Sequence, residues 1–217
     1  MIDRSRFDHI RNSHGAYASW AVWAPAGSSP KSNIANLDVL DPVANPSLLS
    51  TLHADAVMVG LNISRPLSEA FRNFHDPRPH AQDFKIRYAF DFTRWWGAYM
   101  TDIIKYVETI KTSELRSLLT PEVVRQNVDS FVNELRDLGS TKPVLLAFGR
   151  DTYKIVVNHV PSSAYTALVA LTHYSHQISK ESYRTTVLRQ IAEAPALAPL
   201  ARPEREQSEE HDQSSEA

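Results

Sequence analysis

VMVGLNIS, residues 57–64, decides the fold class of this chain. An apolar run rich in β-branched residues stops at Gly60 and then delivers Asn62. That is the pattern of a buried parallel strand handing a polar side chain to the rim of an open α/β sheet, where such sheets place their ligands. GAYMTDIIK (residues 97–105) and ALVALTHYSHQIS (residues 167–179) repeat the pattern and lead to Asp102 and His173. Three strand ends are expected to converge on one site.

The flanking sequence supplies the helices that a parallel sheet needs. Between about 112 and 139, Thr120 suits an N-cap and Pro121 the first helical position, and Val124, Val128, Phe131, Leu135 and Leu138 form an apolar stripe closed by Gly139. Pro143 then opens the strand VLLAFG (144–149), RDTYKIVVNHV (150–160) follows as a helix, and YTALVAL (165–171) is the next strand. Ser179-Lys180-Glu181 starts a last helix with Tyr183, Val187, Leu188 and Ile191 on one face. This alternation predicts an α/β fold of three αβα layers around a mainly parallel central sheet. AYASWAVWAP (16–25) is expected to be an outer strand or arm packed by its two tryptophans. Residues 63–90 carry prolines at 66, 77 and 79 and phenylalanines at 71, 74, 84 and 90. They are expected to form a long loop, and loops of that length in compact domains are usually functional.

A chain of 217 residues with 42% hydrophobic content suits one core, expected over residues 1–192. No apolar run approaches the roughly 20 residues that cross a bilayer. The N-terminal MIDRSRFDHIRN lacks an apolar signal core, and the absence of cysteine excludes disulfides and thiolate metal sites, so a cytoplasmic location is expected. Residues 193–217, rich in proline, alanine and acid, are expected to be a flexible acidic tail. Net charge is −2, but the tail holds seven acidic and two basic residues, which leaves residues 1–192 with 21 basic and 18 acidic. The folded part is mildly basic, which permits contact with a polyanion without demanding it.

Over residues 55–190 the order of motifs resembles the uracil-DNA glycosylase superfamily. G-L-N-I-S stands where that family has G-Q-D-P-Y or G-I-N-P-G, which places Asn62 as the group positioning the attacking water. Phe74 matches the aromatic residue that stacks on the flipped base. Asp102, in Tyr99-Met100-Thr101-Asp102, matches the residue that reads the base edge, usually an asparagine. LLAFGRDTYKIV is similar to the strand-glycine-helix segment before the last motif, and His173-Tyr174-Ser175-His176-Gln177-Ile178-Ser179 echoes H-P-S-P-L-S. The resemblance implies a monofunctional DNA glycosylase that hydrolyses an N-glycosidic bond as a monomer, with DNA as partner and neither cofactor nor metal.

Such chemistry suits these residue types. Bond breaking builds positive charge on the sugar and negative charge on the leaving base, so water belongs near C1′ and donors near the base carbonyl. Asn62 would orient the water and His173 would stabilise the base, by positioning and electrostatics rather than proton abstraction. The base must leave the stack, with Phe74 holding it, Ser175 on a backbone phosphate, and Gln177 or Ile178 filling the gap. Ser64 stands where strict uracil enzymes place a tyrosine that excludes C5 substituents. An ionised Asp102 suits the exocyclic amine of cytosine better than the O4 of uracil. The expected substrate is therefore a C5-modified cytosine, such as glucosylated hydroxymethylcytosine of phage DNA, or a related base, in defence or repair.

Each residue also has a plainer role. Asn62 suits a turn, Asp102 an ion pair with Lys105 or Arg94, Phe74 the core, and His173 a hydrogen-bonded strand end. Arg65, Arg72, Arg78, Lys85 and Arg87 suit either a solvated loop or a phosphate-tracking lid. His173 and His176, with His75-Asp76 or His80, carry no metal signature. A non-catalytic nucleic-acid-binding module and a hydrolase of free nucleosides or nucleotides are the alternatives.

Overall fold

The computed structural model describes residues 2–105, 107, 109, 112–195 and 197. Its five strands are β1 (Ala18–Trp20), β2 (His53–Asn62), β3 (Ala98–Ile104), β4 (Val144–Phe148) and β5 (Ala167–Leu171), and they form one sheet in the order β1-β3-β2-β4-β5. β1 runs antiparallel to β3, and the other pairings are parallel. The helices are α1 (Arg4–His14), α2 (Leu48–Thr51), α3 (Phe84–Phe90), α4 (Thr112–Leu118), α5 (Pro121–Asp137), α6 (Arg150–His159) and α7 (Lys180–Ala192).

Alternation along the strands divides the interior into two cores. Val57, Val59, Tyr99 and Leu145 pack with Phe7 and Ile10 of α1, Val128 and Phe131 of α5, and Val156 of α6. Met58, Met100, Leu146 and Val169 pack with Ile86 and Phe90 of α3 and Tyr183 and Val187 of α7. Burial on both faces explains why these strands look like unbroken apolar runs in the sequence. The result is the expected three-layer αβα arrangement around a mostly parallel sheet.

Local signals set the element ends. The side chain of Thr120 accepts from the backbone N–H of Val123 above Pro121, and that of Ser179 accepts from Ser182 at the start of α7. Gly139, at φ +73°, ends the helical stripe in a conformation that side chains resist. The N-terminal arm is the edge strand β1. Trp20 is fully buried edge-to-face on Tyr99, with ring centroids 5.0 Å apart, and the Trp23 indole N–H donates to the Phe74 carbonyl at 3.1 Å.

Two expectations need correction. The irregular stretch ends at residue 83, because Phe84–Phe90 forms α3 with Ile86, Ala89 and Phe90 facing the core. β3 also continues two residues past Asp102, which lies in register with Gly60 inside the sheet. The expected acidic tail lies outside the described residues from residue 198 onward. Among the described residues, no helix is long and apolar enough to cross a membrane.

Candidate active site

The connection from β2 runs to β3 on one side and that from β4 runs to β5 on the other, so a crevice opens at the carboxyl ends of these strands. A cleft of about 620 Å³ occupies this crevice. It is lined by Asn62, Ser64, Phe74, Asp102, His173 and Ser175, together with Asn73, Asp76, Asp83 and Tyr174. Gln177 and Ile178 are not part of the lining. Gln177 is exposed and donates to the Ser175 carbonyl at 3.1 Å, whereas Ile178 packs against the second core.

Asn62 closes β2, and its amide nitrogen is surrounded by carbonyls. Nδ2 donates to Ile63 at 2.8 Å and to Val107 and Thr109 at 3.0 Å each. Three acceptors around one nitrogen fix which end of the amide is which. Among the described residues Oδ1 accepts no hydrogen bond. The side chain thus combines an anchored donor end with an acceptor that is available to water.

Asp102 is 3% exposed on β3 and meets a glycine on its neighbouring strand. A Cβ at Gly60 would collide with Asp102 Oδ1 and would stand 3.1 Å from the Phe74 ring, so only glycine lets both side chains cross there. Asn73 Nδ2 donates to Asp102 Oδ2 at 2.8 Å and also to the Tyr17 carbonyl at 2.8 Å. Burial pushes the carboxyl up to about 7 against the opposing pull of the Asn73 bond and of Lys105. Neither plainer ion pair forms. Lys105 binds Glu134 at 2.7 Å, and the Arg94 guanidinium lies over the Trp95 ring.

Phe74 is buried at φ +63°, a left-handed conformation that costs a bulky residue on the order of 1 kcal/mol. Its surroundings hold it there. Asn73 Oδ1 accepts from its N–H at 3.1 Å, Trp23 binds its carbonyl, and Tyr174 meets its ring edge-on at a centroid distance of 6.4 Å.

His173 follows β5, stacked on Tyr174 at 4.3 Å between ring centroids. Behind it, Gly149 sits at φ +87°, and a Cβ there would come within 3.3 Å of the imidazole. The ring Nδ1 receives the Ser175 backbone N–H at 3.1 Å and lies 2.8 Å from Ser175 Oγ. A backbone N–H can only donate, so Nδ1 is an acceptor and the proton of the neutral ring belongs on Nε2. Burial pushes the imidazole down to about 4, so it is neutral at pH 7. Ser175 Oγ, expected on a phosphate, lies beside the imidazole that its own backbone orients.

Of the five basic residues in the loop, Arg65, Arg72 and Arg78 reach the cleft. Arg78 and Arg65 flank Asp76 at 2.6 and 3.5 Å. Lys85 and Arg87 do not belong to a lid, because both are buried and satisfied by backbone carbonyls. Lys85 donates to His176, and Arg87 donates to Ala24, Ser32 and Pro30. His75 is fully buried against Ser19, and among the described residues no group of three His, Asp or Glu side chains is placed to hold a metal.

Sequence reasoning missed Asn73, Tyr174 and Asp83. Asn73 and Tyr174 adjoin residues that it named. Asp83 gives no signal beyond its place before α3. The chain matches no protein-family model and no curated protein.

Proposed function

We propose that the protein is a DNA glycosylase that hydrolyses the N-glycosidic bond of an extruded base, a C5-modified cytosine by preference. The observation that carries this reading is the shared cleft of Asn62, Asp102 and His173, which come from the end of β2, from within β3 and from the segment after β5. Water held by Asn62 Oδ1 attacks C1′ as the bond to the base breaks. The bonding electrons leave with the base, His173 Nε2–H donates a hydrogen bond to its carbonyl oxygen, and the departing anionic base takes up the proton that the attacking water loses. A neutral imidazole serves this step because it donates without needing a proton from solvent.

Phe74 offers the ring at the cleft wall, Asp102 accepts from an exocyclic amine, and the small Ser64 leaves space at C5. Arg65 and Arg78 in the cleft suit the phosphates of a DNA strand, and the exposed Gln177, rather than the packed Ile178, is left to fill the gap in the stack. The test is incubation with genomic DNAs that carry different natural base modifications, followed by mass analysis of released bases. Release of modified cytosine, lost in Asn62→Ala and His173→Ala while DNA binding persists, is the expected result. Efficient release of uracil with modified cytosine left intact would overturn the base assignment. Binding of DNA with no base released would leave a non-catalytic module.

A further inference from the structure

Asp83 is 6% exposed and lines the cleft, where one carboxyl oxygen closes the loop onto Asp76 and the other has no hydrogen-bond partner among the described residues. It stands at the N-cap of α3 but makes no capping bond. Among the described residues its side chain accepts one hydrogen bond, from the Asp76 N–H to Oδ2 at 2.8 Å, and it forms no ion pair, since Arg78 and Arg65 are engaged by Asp76. Asp102 is in the same condition, with one bond from Asn73 to Oδ2. Each carboxyl therefore presents an unengaged Oδ1 in one cleft. Burying two such groups weakens the fold, because Arg78 near Asp83 and Lys105 near Asp102 offset only part of the cost. The two charges also repel, and burial holds Asp83, like Asp102, up to about 7.

A ligand that brings N–H donors relieves both groups at once. We propose that Asp83 is a second specificity-determining residue of the cleft and that, with Asp102, it accepts the two N–H bonds of an exocyclic amine on the bound base. This rests on the glycosylase reading and narrows it to amino bases. Once ionised the two carboxyls can only accept, so a keto base such as uracil would point carbonyl lone pairs at both and leave them unsatisfied, which a buried site rejects strongly.

The experiment compares wild type with Asp83→Asn, which retains an acceptor for the Asp76 N–H, and checks folding by the unfolding midpoint. Single-stranded oligonucleotides carrying 5-hydroxymethylcytosine or 5-hydroxymethyluracil differ at the amine and keto edge and not at C5. Wild type should favour the amino base by about tenfold or more, and Asp83→Asn should reduce that ratio about tenfold. In parallel, deoxycytidine and deoxyuridine are titrated by NMR, where wild type should bind deoxycytidine selectively. An unchanged ratio in Asp83→Asn, or a wild-type preference for the keto base, would overturn the proposal while leaving excision standing. Selective nucleoside binding that depends on Asp83, with no base released, would keep the proposal and remove the chemistry. With no excision and no nucleoside preference, both fall.

Discussion

β3 carries buried charge to both of its faces, and the protein treats the two sides differently. Toward α5, Glu134 is fully buried, with Lys105 Nζ at 2.7 Å and the Tyr99 hydroxyl at 2.6 Å. Lys105 in turn donates to Thr101 and to the Asp102 carbonyl, and its N–H reaches Asn127 at 2.5 Å. Toward α3, Asp102 is about as deeply buried and is held by Asn73 alone. A cation in direct contact marks a part of the scaffold. Incomplete compensation, at the mouth of a cleft, marks a place where something else is meant to bind. Lys105 joins the two sides, because it neutralises Glu134 while fixing the backbone that carries Asp102.

Breaking the compensated side should have the largest effect. Lys105→Met leaves Glu134 buried without a cation and should cost about 3–5 kcal/mol in urea unfolding, with most of the loss recovered in the double variant Lys105→Met/Glu134→Leu. Asp102→Asn should cost little by the same measurement. Equal losses would erase the distinction between the two faces. On the cleft side the effect should appear in rate: His173→Ala should lower single-turnover excision by about 10²–10³ and barely move the unfolding midpoint.

Gly60→Ala tests how closely the site is packed. The added methyl must displace Asp102 or the Phe74 ring, and should destabilise the fold by about 1–3 kcal/mol in urea. A neutral result would mean that Asp102 is free to swing away.

The remaining test is a slope with pH. Asp83 and Asp102 keep their protons up to about 7 in the folded protein, against about 3.9 in an unfolded chain. Between about pH 4 and 7 the folded state binds more protons, so stability falls as pH rises, by up to about 1.4 kcal/mol per unit for each carboxyl. His173 and His75, pushed down to about 4 and about 3 by burial, act in the opposite sense. They are neutral when folded and lose stability as pH falls below about 6.5. Subtracting wild type from Asp102→Asn isolates one carboxyl. The advantage of the variant should be near zero at pH 4 and should grow toward pH 7, and a flat difference would place an ordinary carboxylate in the cleft.

Much of the frame is legible along the chain. Thr120, Pro121 and Gly139 bracket α5, Ser179 caps α7, and the runs around Val57, Met100, Leu145 and Val169 are the four parallel strands. The stretch containing α3 misleads, because prolines and aromatics dominate the 20 residues before it and its seven residues are too short for a clear helical period. Within the cleft, Asn62 and His173 are visible because each follows an apolar strand. Asp83 follows no strand, and nothing next to it in sequence shows that it is buried.

By itself the sequence determined where strands and helices begin, which positions face inward, and which polar groups stand near strand ends. Those properties depend on side-chain period and on caps a few residues apart. Tertiary structure alone decided which buried charges are neutralised. Lys105 finds Glu134 of α5, while among the described residues Asp83 and Asp102 share a cleft with no ion pair of their own. The energy of a buried carboxyl is set by the groups that packing brings within a few ångströms, whatever their distance along the chain.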